Sequence, residues 1–342
     1  MRGKKALVGD FWGNSGLAAA TLSMRWGGRA NLLILAYHRV LDIPDEDAFP
    51  GDPELVSAST EDFERQMRFV RAHFTPLRFS DVLQAMDRGV ALPRNSLIVT
   101  FDDGHIDNYT NAFPILKSLG VPATIFLSTQ YIDAPETPFW FDHIAQLIYF
   151  APAGPLGLDQ LKFHASLTGI ASRREATGQL LRKLKREPNE CRIAVVQELL
   201  RRFGTHVPES QRTQRAAMTW DEVREMAAAG IEFGSHTVSH PVLARLDDEA
   251  IQQELADSRQ AIRVQTGQSV ETVAYPVGKV DAFDDRVVAT AKSCGYRLGL
   301  SYETGVNPWR GADLFTLRRL AIERYVSFGH FKALLSMPGI FA

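Results

Sequence analysis

The feature that most constrains the fold is a repeated alternation of short apolar runs with helix-like segments. The runs are rich in β-branched residues and predict seven strands, at 32–37, 97–101, 123–128, 231–235, 272–275, 297–301 and 315–320. In one intervening segment Ile251, Leu255 and Ile262 share a helical face. The alternation predicts a mostly parallel sheet, and periodicity leaves open whether it closes into a barrel or stays open and doubly wound.

The alternation stops between about 139 and 215. Apolar residues recur there at helical spacing, which predicts a helical insertion. Its aromatic start, Phe139 to Phe141, could form one wall of a groove or serve packing alone, and we favour packing. We therefore expect an N-terminal extension at 1–30, in part helical, followed by one domain over 31–342 that contains the insertion.

Composition excludes some classes of partner and site. Lys+Arg 38 against Asp+Glu 40 gives a formal charge of -2, so no overall positive field favours nucleic acid as a partner. Cys191 and Cys294 show no Cys-x-x-Cys spacing, which indicates neither a thiolate metal site nor a disulfide framework.

The N-terminal segment bears on location. Its apolar stretch is interrupted by polar residues, which is untypical of a signal peptide, so we expect a cytoplasmic protein. Phe11, Trp12, Leu17 and Met24 could share a helical face beside basic neighbours. Peripheral membrane contact through residues 1–30 is therefore a further expectation.

Polar clusters follow two of the predicted strands. Asp102 and Asp103 come after 97–101, and His236 and His240 come after 231–235. Each cluster alone also fits an ordinary turn or unrelated histidines. Because catalytic groups collect at the carboxyl ends of parallel strands, we favour a site in which two histidines and one aspartate hold a metal while the other aspartate accepts a proton. Zinc is the first choice, and cobalt, nickel or manganese would also fit.

Three further strand ends carry candidate groups. His38 follows 32–37 and is either a structural histidine or a proton donor. Tyr275, Pro276 and Gly278 belong to a turn whose backbone amides could face the site. Arg319, in the last predicted strand at 315–320, could pair with a carboxylate or lie at the surface.

Four segments together resemble the polysaccharide deacetylases, the NodB-homology group that forms carbohydrate esterase family four. They are "TFDDG" at 100–104, "PILKSLGVPATIFL" at 114–127, "GSHTVSHPVL" at 234–243 and "AYPVG" at 274–278. "YHRV" at 37–40 is similar to the start of the branch that includes the poly-N-acetylglucosamine deacetylases. The resemblance implies a distorted (β/α)7 barrel, TIM-like, with the catalytic domain at 31–342.

The resemblance also implies roles for individual residues. Asp102 would be the general base and His38 the general acid, and the divalent metal would be held by Asp103, His236 and His240. The family's Arg-x-Pro-x-Gly motif corresponds to Ala274–Gly278, where the arginine is missing. Arg319 could supply that charge from another strand, and the substrate-binding residues implied here are Tyr275, Pro276 and Gly278.

The leading hypothesis is a metal-dependent enzyme that removes acetyl groups from N-acetylhexosamine units of a polysaccharide, or of its lipid-linked precursor, in exopolysaccharide biosynthesis. A de-O-acetylase or small-amide hydrolase with the same site is one alternative. An inactive carbohydrate-binding barrel is another, and it is disfavoured because the base, the three ligands and the acid are all present.

Overall fold

Seven parallel strands form the centre of the computed structural model, which describes residues 4–15, 31–309 and 311–341. They are β1 (Asn31–Tyr37), β2 (Ser96–Phe101), β3 (Ala123–Leu127), β4 (Glu232–Ser235), β5 (Thr272–Ala274), β6 (Leu298–Thr304) and β7 (Leu317–Ala321). The strands pair in chain order, and β1 pairs with both β2 and β7, which closes the sheet. The predicted (β/α)7 barrel is confirmed, and the open doubly wound sheet is excluded.

The strands are apolar on both faces because both faces are covered. Leu33 and Leu35 of β1 belong to the large core cluster between the barrel and the surrounding helices, whereas Ile34 belongs to a second cluster with Ile98 of β2. All four side chains are fully buried. Burial on both sides explains why these strands appear in the sequence as continuous apolar runs without strict alternation.

Helices connect and cover the strands. They are α1 (Lys4–Asn14), α2 (Thr60–His73), α3 (Phe79–Asp87), α4 (Phe113–Leu119), α5 (Thr129–Asp133), α6 (Trp140–Phe150), α7 (Ile170–Leu184), α8 (Asn189–Phe203), α9 (Glu209–Arg212), α10 (Trp220–Ala228), α11 (Asp248–Thr266), α12 (Asp285–Ser293), α13 (Phe328–Ser336) and α14 (Pro338–Phe341). The helix predicted around Ile251 is α11, and its predicted apolar face is fully buried.

One end of the barrel is closed by α3. The Phe79 ring lies 6.0 Å from that of Phe126, which belongs to the same core cluster as Ile34. The carboxylate of Glu232, the first residue of β4, accepts hydrogen bonds of 2.8 Å from the backbone N–H groups of Phe79 and Ser80. A charge at the helix N-terminus thus fixes α3 over the amino ends of the strands.

The segment expected to be a helical insertion also contains strands. It includes α6 to α9 and an antiparallel hairpin of Gly154–Leu158 with Phe163–Leu167. This hairpin was not predicted, because its first strand contains two glycines and a proline, residues that are depleted in strands. The rest of the segment is helical, as expected.

The N-terminal helix α1 packs against α13 near the C-terminus. Phe11 is 75% exposed, and Leu17 and Met24, which were expected to share its face, lie outside the described residues. Among the helices of the described ranges, none combines the length and the apolar character that crossing a bilayer requires.

Candidate active site

The polar residues that follow the strands lie together at the open end of the barrel. His38 follows β1, Asp102 and Asp103 follow β2, and His236 follows β4. Together with His240 they line a cavity of about 530 Å³. Because α3 covers the opposite end, the carboxyl ends of the strands are where a substrate can reach these side chains.

Asp103, His236 and His240 form a buried cluster whose ligand atoms lie within 4.8 Å of one another. Asp103 Oδ1 is 3.6 Å from His236 Nε2 and 3.3 Å from His240 Nε2. His236 Nδ1 donates a 2.7 Å hydrogen bond to the carbonyl oxygen of Ala274, which leaves Nε2 free to bind a metal. Neither oxygen of Asp103 has a hydrogen-bond partner among the described residues. This donor set fits a zinc-type divalent ion.

The protonation states also suit metal binding. Burial lowers the pKa of His236 to about 4, so its ring is neutral at pH 7 and its lone pair is available. Burial by itself raises the pKa of Asp103, but the neighbouring histidines, His240 foremost, lower that pKa well below its usual range. At neutral pH the cluster therefore presents the ionised carboxylate of Asp103 and the neutral ring of His236.

Four residues of the site have backbone torsions that are uncommon outside glycine. The angle φ is 75° at Asp103, 69° at Thr237, 54° at His240 and 64° at Val277. Such torsions cost about 1–3 kcal/mol each, and β-branched residues such as Thr237 and Val277 adopt them least readily. They persist only where surrounding packing holds them, so the fold maintains strain at this end of the barrel.

Arg319 of β7 pairs with Asp102 inside the barrel. The distances from its Nη1 and Nη2 to the two carboxylate oxygens are 2.7 and 2.8 Å, and both side chains are almost fully buried. Burial raises the pKa of Asp102, but the charge and hydrogen bonds of Arg319, together with the nearby His236 and His38, more than offset this and lower the pKa below its usual value. Asp102 is therefore ionised at neutral pH.

His38 faces the same cavity from the end of β1. Its backbone is fixed by hydrogen bonds with Ser57 and Asn108, of 2.9 and 2.8 Å, and its ring lies 5.4 Å from that of Tyr302. Burial lowers the pKa of His38, although the carboxylates of the neighbouring strand end oppose this shift. The lowered pKa favours the neutral ring and makes the protonated ring a stronger acid.

The turn after β5 contributes its backbone and one ring to the cavity. Tyr275 and Val277 line it, whereas Pro276 and Gly278 are not among the lining residues. Tyr275 stacks on Phe283, and its hydroxyl lies near Gly299 without a hydrogen-bond partner in the described chain. The substrate-binding roles expected of Tyr275, Pro276 and Gly278 stay predictions.

The insertion brings to the site further residues that were not predicted from the sequence. Trp140 Nε1 donates a 3.0 Å hydrogen bond to the carbonyl oxygen of His240, and the Phe141 ring lies 5.2 Å from the His240 ring. Lys185, directly after α7, lines the cavity. The aromatic residues at the start of the insertion could have indicated this contact with the site, but they were interpreted as packing residues.

Comparison with known proteins identifies the family. The sequence model described as polysaccharide deacetylase matches residues 89–299, more than half of the chain. The chain belongs to the polysaccharide deacetylase family. The members of this family are hydrolases. The motifs at the ends of β2 and β4 lie inside the matched range.

Individual relatives agree with this assignment. The deacetylase is 21% identical over 305 residues to "Putative polysaccharide deacetylase YxkH" of Bacillus subtilis, covering 89% of this chain and 76% of that one. It is 33% identical over 109 residues to the poly-beta-1,6-N-acetyl-D-glucosamine N-deacetylase of Staphylococcus epidermidis. That second match covers 30% of this chain and 37% of the relative.

Solved structures share the fold. The Streptococcus pyogenes deacetylase PplD in complex with acetate superposes with a TM-score of 0.58 at 20% identity, covering 88% of this chain and 96% of that one. The BpsB deacetylase domain from Bordetella bronchiseptica gives a TM-score of 0.52 at 20% identity, covering 86% and 96%. At this identity the likeness establishes the barrel architecture.

Proposed function

We propose that this deacetylase removes acetyl groups from N-acetylhexosamine units of a polysaccharide, using a divalent metal ion held by Asp103, His236 and His240. The observation that carries the proposal is that these ligands share one cavity with a paired carboxylate, Asp102, and with a histidine, His38. A base, an acid and a metal-binding set around one opening are the groups that amide hydrolysis requires.

The metal-binding cluster favours zinc, with cobalt, nickel or manganese as alternatives. Two imidazole nitrogens and one carboxylate leave a coordination position for water or substrate, as in catalytic sites. When bound, a divalent ion supplies a Lewis acid that polarises the acetyl carbonyl and acidifies a nearby water molecule, so that a carboxylate of low pKa suffices as base.

Asp102 is the group that accepts a proton from the attacking water. Arg319 keeps its carboxylate ionised and fixes the plane of the two oxygens. As the water oxygen bonds to the acetyl carbon, the carbon–nitrogen bond breaks and the amine nitrogen needs a proton. We assign that proton to His38, whose lowered pKa makes the protonated ring a ready donor. The products are acetate and a free amine.

Val277 supplies a second stabilising group in this proposal. It lines the cavity in a strained turn, and its backbone N–H makes no hydrogen bond with a described residue. An N–H group held in this way can donate to the negative charge that develops on the acetyl oxygen. The strain at Val277 then has a function, because a relaxed turn would not hold the N–H in this position.

A polymeric substrate is supported by a second cavity of about 320 Å³ beside the first. Asp52, Glu54 and Tyr325 line both cavities, so the opening continues along α7 of the insertion. Sugar units next to the reacting one could lie there. The Staphylococcus epidermidis relative is named as a poly-beta-1,6-N-acetyl-D-glucosamine N-deacetylase, which supports a polymer of N-acetylglucosamine as the substrate. A role in exopolysaccharide biosynthesis is part of the proposal. A lipid-linked substrate, a cytoplasmic location and membrane contact through residues 1–30 stay predictions.

The test is acetate release from N-acetylglucosamine oligomers and from O-acetylated sugars. Protein treated with a chelator is supplied separately with zinc, cobalt or nickel, and a sample without added metal is the control. Metal-dependent acetate from the N-acetyl substrates is the expected result. Acetate released only from O-acetylated sugars would mean that the enzyme cleaves an ester bond instead of an amide bond. Acetate released without any metal would contradict the metal-binding role of the cluster.

A further inference from the structure

The first turn of α6 lies directly behind the metal-binding cluster. Trp140 and Phe141 contact His240, as described above, and the next residue, Asp142, contacts a second histidine. Asp142 Oδ2 lies 3.0 Å from His105 Nε2. Two consecutive residues of the insertion thus contact the cluster, and the third contacts His105 beside it, although none of them is one of the three ligands.

His105 lies between two carboxylates. Its Nε2 faces Asp142, and its Nδ1 lies 3.7 Å from Oδ2 of Asp103. The side chain is 1% exposed, and the Phe139 ring packs on it with a centroid distance of 4.3 Å. Packing and the contact with Asp142 therefore fix the plane of the imidazole so that its Nδ1 edge faces the ligand carboxylate.

The atoms on this edge have no other partners. His105 Nδ1 and both oxygens of Asp103 are buried without a hydrogen bond to any described residue. Buried polar atoms without partners are costly, so each one in a folded protein calls for an explanation. The imidazole nitrogen that does not contact Asp142 is therefore the polar atom that faces Oδ2 of the ligand Asp103.

We propose that His105 is a positioning residue that orients Asp103 for metal binding, and that Asp142 of the insertion holds His105 in place. The inference rests on the proposed metal-dependent function. A carboxylate ligand free to rotate loses affinity for its ion, and the partners behind ligands commonly contribute 10–100-fold. The insertion is in this view a part of the metal site in addition to its packing role.

The experiment measures the zinc affinity of the full chain by competition with a chromogenic chelator, without substrate. In His105→Asn the side-chain nitrogen takes the place of ring Nδ1, whereas in His105→Gln it takes the place of Nε2. We expect His105→Asn to stay within about threefold of wild type and His105→Gln to lose about 10–100-fold. Both variants lose the ring, and only His105→Asn keeps a nitrogen at the edge that faces Asp103, whereas only His105→Gln keeps one at the edge that faces Asp142.

His164 offers a matched control, because its Nε2 lies 3.9 Å from a carboxylate oxygen of Asp159 while both side chains are exposed. His164→Asn and His164→Gln should bind zinc as wild type does. Equal losses in the two His105 variants, or no loss in His105→Gln, would overturn the inference. Wild-type protein that binds no zinc, cobalt or nickel would overturn the proposed function and this inference with it.

Discussion

Arg319 and Asp102 are 217 positions apart in the chain, and two hydrogen bonds of 2.7 and 2.8 Å join them inside the barrel. They meet because β7 and β2 both pair with β1, so closure of the sheet places the two strands on either side of β1 and lets their side chains meet inside the barrel. Ala274 stands where the Arg-x-Pro-x-Gly motif of the family has its arginine. The positive charge beside Asp102 is therefore supplied by another strand.

Replacing Arg319 by lysine should shift the pH dependence of the reaction. Lysine keeps the charge but cannot form the two parallel hydrogen bonds, so the pKa of Asp102, which Arg319 lowers, should rise. The acid limb of kcat/KM should then move to higher pH. A pH–rate profile of Arg319→Lys beside wild type measures this, and an unmoved limb would show that Arg319 does not control the ionisation of Asp102.

Asp102→Asn should abolish turnover while sparing the metal site. The amide cannot accept the proton from water, and a general base typically contributes about 10²–10⁴-fold in rate. Acetate release and zinc stoichiometry are measured on the same sample. Asp257→Asn, a change at an exposed carboxylate of α11, is the matched control. Turnover near the wild-type rate in Asp102→Asn would remove Asp102 from its assigned role.

Zinc should stabilise the folded protein through the cluster. An ion that binds only the folded state adds about 4 kcal/mol when its free concentration is 1,000 times Kd. Thermal unfolding of chelator-treated protein, with and without zinc, should show a higher Tm with the ion. His240→Ala should lose this increase, whereas His206→Ala, on the insertion and away from the cavity lining, should keep it. A zinc-induced rise that survives in His240→Ala would place the ion elsewhere.

Lys185→Met should affect long substrates more than short ones. The Lys185 ammonium lines the cavity with no described carboxylate within 4 Å, and burial lowers its pKa. A sugar hydroxyl is a suitable partner for such a donor. We expect kcat/KM for oligomers to fall by about tenfold, and that for a single N-acetylglucosamine unit to change little. Lys183→Met, in the last turn of α7 and outside the cavity lining, is the control, and equal effects on all chain lengths would contradict this placement.

Tyr275→Phe should leave activity unchanged and should not destabilise the fold. The Tyr275 hydroxyl is buried near Gly299 without a hydrogen-bond partner, so its removal costs no bond and spares the desolvation of a polar group. We expect kcat/KM within about twofold of wild type and a free energy of unfolding equal or higher by up to about 1 kcal/mol, measured in urea. A tenfold loss of activity would instead support the predicted substrate-binding role of Tyr275.

Local patterns in the sequence were sufficient to predict the strands and the residues at their ends. The barrel strands are three to seven residues long and most of their residues are buried, so the burial of a strand on both faces is visible in a short stretch of sequence. Asp102, Asp103, His236 and His38 follow such runs directly, so their common location could be inferred from the direction of parallel strands. The hairpin at 154–167 was missed because its glycines and proline weaken that local signal.

Contacts between distant segments were decided by the tertiary structure alone. Closure through β1, the pairing of Arg319 with Asp102, and the approach of Asp142 to His105 each join residues that no short-range pattern relates. The unusual torsions at Thr237 and Val277 are likewise maintained by surrounding packing. The periodicity of a sequence indicates which face of a helix or strand is buried, because that pattern is set by residues close together in the chain. Which side chains of different elements then contact each other depends on how whole elements pack, and only the closed barrel specifies those contacts.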